Sequence, residues 1–148
     1  MTAPLERREW IIASDVQAIA PIVETVQGMC VAAGFAPRHC RLNIPVAVTE
    51  ALSNAILRGN LGEPARVVHV AVLLESHRVV IEVTDEGDGF ELDVVQHSPD
   101  EDGWLEREDG RGLFLMRSLM DAVESQRPDA RRADARRGHT LRLILHRA

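Results

Sequence analysis

The chain has 148 residues and a formal net charge of −6, with 45% hydrophobic and 27% charged residues, the composition of one ordinary globular domain around a single core. The acidic balance argues against a general nucleic-acid binder. No apolar run approaches the ~18 residues of a membrane span, and the polar start, with Glu6, Arg7, Arg8 and Glu9, does not read as a secretory signal.

Glu9 to Ala13 predicts a short edge strand, with Trp10 and Ile12 on one face and Ile11 on the other. Ser14 or Asp15 can cap a helix from Val16 to about Ala33. In it Ile19, Ile22, Val23, Val26 and Met29/Cys30 recur at helical spacing and predict a buried face. Pro21 falls early in this helix, and Gly34 ends it. A second helix is expected from about Arg38 to Gly59, with Pro45 demanding a kink or a late start near Ile44. Val48, Ala51, Leu52, Ala55 and Ile56 make its apolar stripe. Glu50, Asn54 and Arg58 lie four apart on a different face.

Arg66 to Leu74 and Val79 to Asp85 are β-branched stretches around a Glu75-Ser76-His77-Arg78 turn, which predicts a hairpin. Ile81, Val83 and Asp85 share one face, so the acid points inward. Residues 91–109 are polar, acidic and aperiodic, and their length suggests a lid. Trp104 there fits either lid packing or a partner anchor. Leu113 to Met120 predicts an amphipathic helix and Ala122 to Gln126 a strand. Thr140 to His146 predicts a last strand with Leu141, Leu143 and Leu145 on one face. The arginine-rich stretch from Arg127 to Arg137 reads as a solvated hairpin loop or as a docking patch for an acidic partner. Cys30 and Cys40 have neither CxxC nor metal-ligand spacing, which points to buried reduced thiols in a cytoplasmic protein. The six histidines are scattered and suggest no metal site.

Three short patterns carry chemistry. Asp85-Glu-Gly87-Asp-Gly89 ends a strand on a carboxylate that can hold an exocyclic amine such as that of adenine, and its glycines allow close backbone approach. Alone, it is also an ordinary turn. Gly110-Arg111-Gly112-Leu113 leads into an apolar helix, whose start can bind an anion through backbone N–H groups, or is simply a flexible loop entering a helix. Arg107 and Arg111 could reach phosphates there, although exposed arginines usually just face solvent. Glu50 and Asn54 sit one helical turn apart. A carboxamide oxygen suits a hard Mg²⁺ that also binds phosphates, and a neighbouring carboxylate can take a hydroxyl proton. An isolated Glu-x-x-x-Asn is otherwise a solvated polar face.

Together, in this order, the patterns resemble the GHKL superfamily of ATP-binding domains (the Bergerat fold), which takes in gyrase, histidine kinases and MutL. The resemblance runs from about Trp10 to His146. Within it, Glu50-Ala-Leu-Ser-Asn54-Ala-Ile-Leu-Arg58-Gly59 and Gly112-Leu-Phe-Leu-Met-Arg-Ser-Leu-Met-Asp121 are most similar to the stand-alone serine/threonine-protein kinases that act as bacterial anti-sigma factors. It implies an α/β two-layer sandwich: a mixed, mainly antiparallel sheet of about five strands with three helices on one face, forming a single domain over residues 1–148.

It also implies ATP and Mg²⁺ as cofactors. Asn54 would coordinate the metal, and Glu50 would be the general base toward a protein serine. Asp85 would bind the adenine amine, with Gly87 and Gly89 shaping that pocket. Gly110, Arg111, Gly112 and Leu113 would form the phosphate side. The partners implied are a sigma factor, an anti-anti-sigma protein as phosphorylation substrate, and a second copy in a homodimer. The sequence departs from the family at two places. Arg58 stands where a histidine is usual, and Gly138-His139-Thr140 replaces the usual Gly-Thr. Alternation then puts His139, not Thr140, on the face of Leu141 and Leu143, so the usual adenine-side hydroxyl is expected to be missing, with His139 and Thr140 both kept as cofactor-binding candidates. A histidine kinase would need phosphoacceptor helices, and a gyrase-like ATPase a transducer domain. The remaining rival is an ATP-binding adaptor that sequesters a partner without phosphorylating it.

Overall fold

A computed structural model of the chain describes residues 5–87, 108–126 and 138–147. The elements run β1 (Glu6–Ala13), α1 (Ile19–Ala32), α2 (Ile44–Asn54), β2 (Val67–Leu74), β3 (Arg78–Asp85), α3 (Glu108–Leu119), β4 (Ala122–Gln126) and β5 (His139–His146). The five strands form one open sheet in the order β1-β2-β3-β5-β4. Each of its four pairings is antiparallel, so the mainly antiparallel sheet expected is antiparallel at every described ladder.

The period-2 pattern sets the faces. Trp10 pairs with Val70 and Ile12 with Val68; Val70 lies opposite Val83, and Val83 opposite Leu141. These residues all join one apolar cluster with the helices, whereas Ile11 stays exposed on the other face. Ile22, Val23, Val26, Met29 and Cys30 of α1 and Val48, Ala51 and Leu52 of α2 are buried in the same cluster. The helices therefore cover one side of the sheet, as the stripes predict. Fully burying each such aliphatic side chain stabilises the fold by about 1.5–3 kcal/mol before entropy is counted. Both cysteines are free and buried, and burial pushes the Cys30 thiol up to about 12, which keeps it protonated and unreactive.

The helix boundaries differ from the sequence expectation in instructive ways. Val16–Ala18 is a single tight turn capped by the Asp15 side chain, and the α-helix proper starts at Ile19. The long second helix is three pieces: a wide turn His39–Asn43, then α2, then a second wide turn Ala55–Gly59. Pro45 stands in the first turn of α2, where its missing N–H costs nothing, so the late start near Ile44 holds. α3 begins at Glu108, five residues before the expected Leu113. Residues 91–107 of the predicted lid and the Arg127–Arg137 stretch, with Trp104 and Arg107, lie outside the described residues, whereas Glu108 and Asp109, expected in the lid, open α3.

Candidate functional site

The site grows from the C-terminal half of α2. Its apolar stripe faces the sheet, and Glu50, Asn54 and Arg58 turn to the other flank. There, with Ser53, Leu57, Gly112 and Leu115, they line a cleft of about 410 Å³. The α2 face thus meets α3, as two separate motifs anticipate. Gly112 is the hinge of that meeting: a Cβ on it would lie 2.8 Å from Glu50 Oε2 and 3.5 Å from Asn54 Nδ2. A residue without a side chain lets α3 close here without displacing the Glu50 carboxylate.

Asn54 is buried, yet its Nδ2 has no hydrogen-bond partner among the described residues. An unmet buried amide is costly and asks for a reason. Beside a carboxylate in a cleft, a ligand rich in oxygen supplies one. Turned either way, the carboxamide offers a donor to a phosphate or an acceptor to a hard cation. No group of three or more His, Cys, Asp or Glu gathers among the described residues. A carboxamide oxygen suits a hard ion such as Mg²⁺ that keeps water and phosphate oxygens as its other ligands.

Asp85 ends β3 with its carboxyl inward and only 3% exposed. Oδ1 accepts the Gly87 N–H at 2.9 Å. Burial raises its pKa, opposed by that hydrogen bond and by the positive charge of Arg66. The wide turn after α2 brings Gly59 against it: a Cβ on Gly59 would fall 2.2 Å from Asp85 Oδ2. One on Gly87 would fall 1.6 Å from the Gly59 carbonyl oxygen. Asp85 therefore packs on the same helical segment as Asn54, five residues further on, or roughly 7 Å along the axis.

His139 is buried opposite Asp85 in the β3–β5 register, on the inner face as alternation predicts. Its Nδ1 is 3.9 Å from Asp85 Oδ2, and its Nε2 contacts the Ser125 hydroxyl. The Thr140 hydroxyl lies on the outer face instead, 2.8 Å from that of Thr84, so it does not join Asp85. Leu113 is fully buried in the core. Gly110 and Arg111 fall inside the first turn of α3. With that helix starting at Glu108, the Gly110 amide is among the four without an intrahelical acceptor, but the Gly112 amide is not. Gly112 contributes space, not an N–H. Gly89 lies outside the described residues.

Sequence reasoning misses two residues. Asn60 is fully buried and ties four segments: its Nδ2 donates to Ser14 Oγ (2.9 Å) and to the Val67 carbonyl (3.0 Å), and its Oδ1 accepts the Glu86 N–H (2.7 Å). Glu86 Oε1 in turn accepts the Val67 N–H at 2.6 Å. This knot fixes the Gly59–Asp85 contact. A polar residue after a helix-ending glycine is the only local hint of it. Ser125 is the second, and only its inward register beside Leu141 could have signalled it.

Residues 12–145 match the family model described as the histidine kinase-like ATPase domain. Among curated relatives, the chain is 38% identical over 87 residues to an anti-sigma F factor of Bacillus cytotoxicus, covering 55% of this chain and 56% of that protein. It is 32% identical over 105 residues to an anti-sigma F factor of Anoxybacillus flavithermus, covering 70% of this chain and 67% of the relative. The chain thus spans between just over half and two thirds of these relatives' length. Among solved structures, a mycobacterial sensor histidine kinase, MprB, superposes with a TM-score of 0.55 over 94% of this chain and 97% of that one, at 15% identity, a likeness of fold alone.

Proposed function

The chain belongs to the histidine kinase-like ATPase domain family, and from that premise we propose that it is an anti-sigma factor that transfers phosphate from ATP to a serine of a partner protein. The observation that carries the reading is the unpartnered Asn54 amide beside Glu50, held open by Gly112. The relatives named anti-sigma F factor support a sigma factor as the sequestered partner. The phosphorylated protein would be the small anti-anti-sigma antagonist, and the working unit a homodimer. Among the described residues no helix is long and apolar enough to cross a membrane, which fits a cytoplasmic regulator.

The division of labour follows the geometry. Asp85 reads the base from the floor of the sheet, with Gly59 packed directly against its carboxylate and Gly87 against Gly59. Asn54 holds the metal–phosphate end. A bound magnesium nucleotide supplies the electrophilic phosphorus and the charge neutralisation of its leaving group. Glu50 accepts the proton of the serine hydroxyl as its oxygen attacks, and ADP departs. Arg58, on the same cleft wall, offers a fixed positive charge toward the phosphates.

Incubation with ATP, Mg²⁺ and the antagonist, followed by intact mass, tests this. A gain of one phosphate on the antagonist, abolished in Glu50→Ala and in Asn54→Ala, is the expected result. Complex formation with no mass gain would overturn the kinase and leave a non-catalytic adaptor.

A further inference from the structure

Asp85, His139 and Ser125 sit on three adjacent strands, β3, β5 and β4, all facing the helices. Asp85 and His139 are direct cross-strand partners, and Ser125 is opposite Leu141, two residues along β5 from His139. Their polar atoms follow one another: His139 Nδ1 lies 3.9 Å from Asp85 Oδ2, and His139 Nε2 contacts Ser125 Oγ. Asp85 and His139 are each at most 3% exposed, so water does not compete for these contacts.

The charges choose the tautomer. A lone pair on Nδ1 facing a carboxylate would be repelled, whereas an N–H there is attracted. The hydrogen therefore belongs on Nδ1, and Nε2 accepts the Ser125 hydroxyl proton as a hydrogen bond. Gly87 N–H holds the other carboxylate oxygen. The carboxyl group is thus oriented by a hydrogen bond on one oxygen and by the facing imidazole N–H on the other.

We propose that His139, set by Ser125, is a positioning residue that keeps the Asp85 carboxyl group aimed so that the site selects a purine bearing a 6-amino group over one bearing a 6-oxo group. The inference rests on Asp85 being the base-reading residue of the proposed nucleotide site. An ionised carboxylate accepts from a 6-amino group and repels a 6-oxygen, whereas a protonated or rotated carboxyl group loses that preference. His139 and Ser125 thus set base selectivity without touching the phosphate end, which belongs to α2.

The test is equilibrium binding of ATP and ITP, which differ at the 6-position, and of inorganic tripolyphosphate, all with Mg²⁺. Wild type is expected to prefer ATP over ITP by roughly tenfold or more, the worth of one hydrogen bond to a charged group. His139→Ala should collapse that ratio toward one and leave tripolyphosphate binding unchanged. His139→Gln, whose amide can both donate to Asp85 and accept from Ser125, should restore part of it, and Ser125→Ala should lower it partially. An ATP/ITP ratio unchanged in a folded His139→Ala or in Ser125→Ala overturns the inference while leaving the nucleotide site intact. A wild type that binds neither nucleotide overturns the underlying site itself. A spectroscopic readout needs no variant: imidazole ¹⁵N shifts should show the Nδ1–H form of His139, and an Nε2–H form refutes the line.

Discussion

At the scale of single residues, two glycines of this site make opposite predictions. A Cβ at position 112 meets the far end of a flexible side chain, Glu50 Oε2, at 2.8 Å. Gly112→Ala should therefore fold. Because an interior helical glycine costs roughly 1 kcal/mol against alanine, its melting temperature should hold or rise. Its phosphotransfer should nevertheless be lost, since Glu50 must swing away from the position where it takes a proton. A Cβ at position 87 meets backbone, the Gly59 carbonyl at 1.6 Å, which has nowhere to go. Gly87→Ala should lose upwards of about 3 kcal/mol, as severe overpacking does. Thermal melts with an activity assay on the same samples separate the two cases, and an active Gly112→Ala would remove Glu50 from the mechanism. Asp85 gives a third residue-scale prediction. Its pKa is raised in the folded chain above the ordinary 3.8, so the folded state keeps the proton to higher pH than the unfolded state. The stability it contributes is present below the unfolded value and is lost as pH rises through the folded one. Asp85→Asn, relieved of that buried charge, should gain on wild type in urea midpoints as pH rises above the ordinary carboxylate value, while losing nucleotide binding. A stability difference that shrinks toward neutrality would show that the native surroundings favour the ionised form.

At the scale of elements, α2 and its flanks decide how much could be read in advance. The Glu50–Asn54–Arg58 face and the stripe from Val48 to Ile56 were legible because helical periodicity is a property of residue type alone. Asp85 was legible because two-residue alternation along β3 admits one inward answer, and the same rule puts His139 inward and Thr140 outward. The wide turns at His39–Asn43 and Ala55–Gly59 were not, since an i→i+5 bond such as Asn60 N–H to the Ala55 carbonyl, 2.8 Å, is set by tertiary packing and has no sequence period. The early start of α3 was hidden for a related reason. Gly110 and Gly112 carry poor helix propensity, which packing of Leu113 and Met116 into the core overrides. Asn60 is where the cost of this arrangement can be measured. Replacing it by alanine breaks three hydrogen bonds and leaves the Glu86 N–H stranded, a loss of roughly 2–4 kcal/mol by urea denaturation. Because the knot holds Glu86 beside Asp85, the same variant should weaken nucleotide binding even under conditions where it stays folded. A destabilised Asn60→Ala with wild-type affinity would mean that the knot supports the fold but not the pocket.

At the scale of the whole molecule, the ligand is the missing contact between layers. The sheet contributes Asp85 and His139, α2 and the wide turn after it contribute Glu50, Asn54 and Arg58, and α3 closes on Glu50 and Asn54 through Gly112. A nucleotide with its base on Asp85 and its phosphates at Asn54 would therefore fasten sheet to helices at once, and binding should appear as stability. At a ligand concentration of 100 Kd the gain is about 2.7 kcal/mol, which for a domain of this size corresponds to roughly 5–10 °C in melting temperature. Magnesium ATP should produce that shift in wild type, and Asn54→Ala should abolish it. Adenosine and tripolyphosphate, each engaging one end only, should give smaller shifts. The adenosine shift should vanish in Asp85→Asn but survive in Asn54→Ala, and tripolyphosphate should show the reverse. If instead both fragments lost their effect in the same single variant, Asp85 and Asn54 would not be reading opposite ends of one molecule, and the base and phosphate roles assigned to sheet and helix would have to be drawn again.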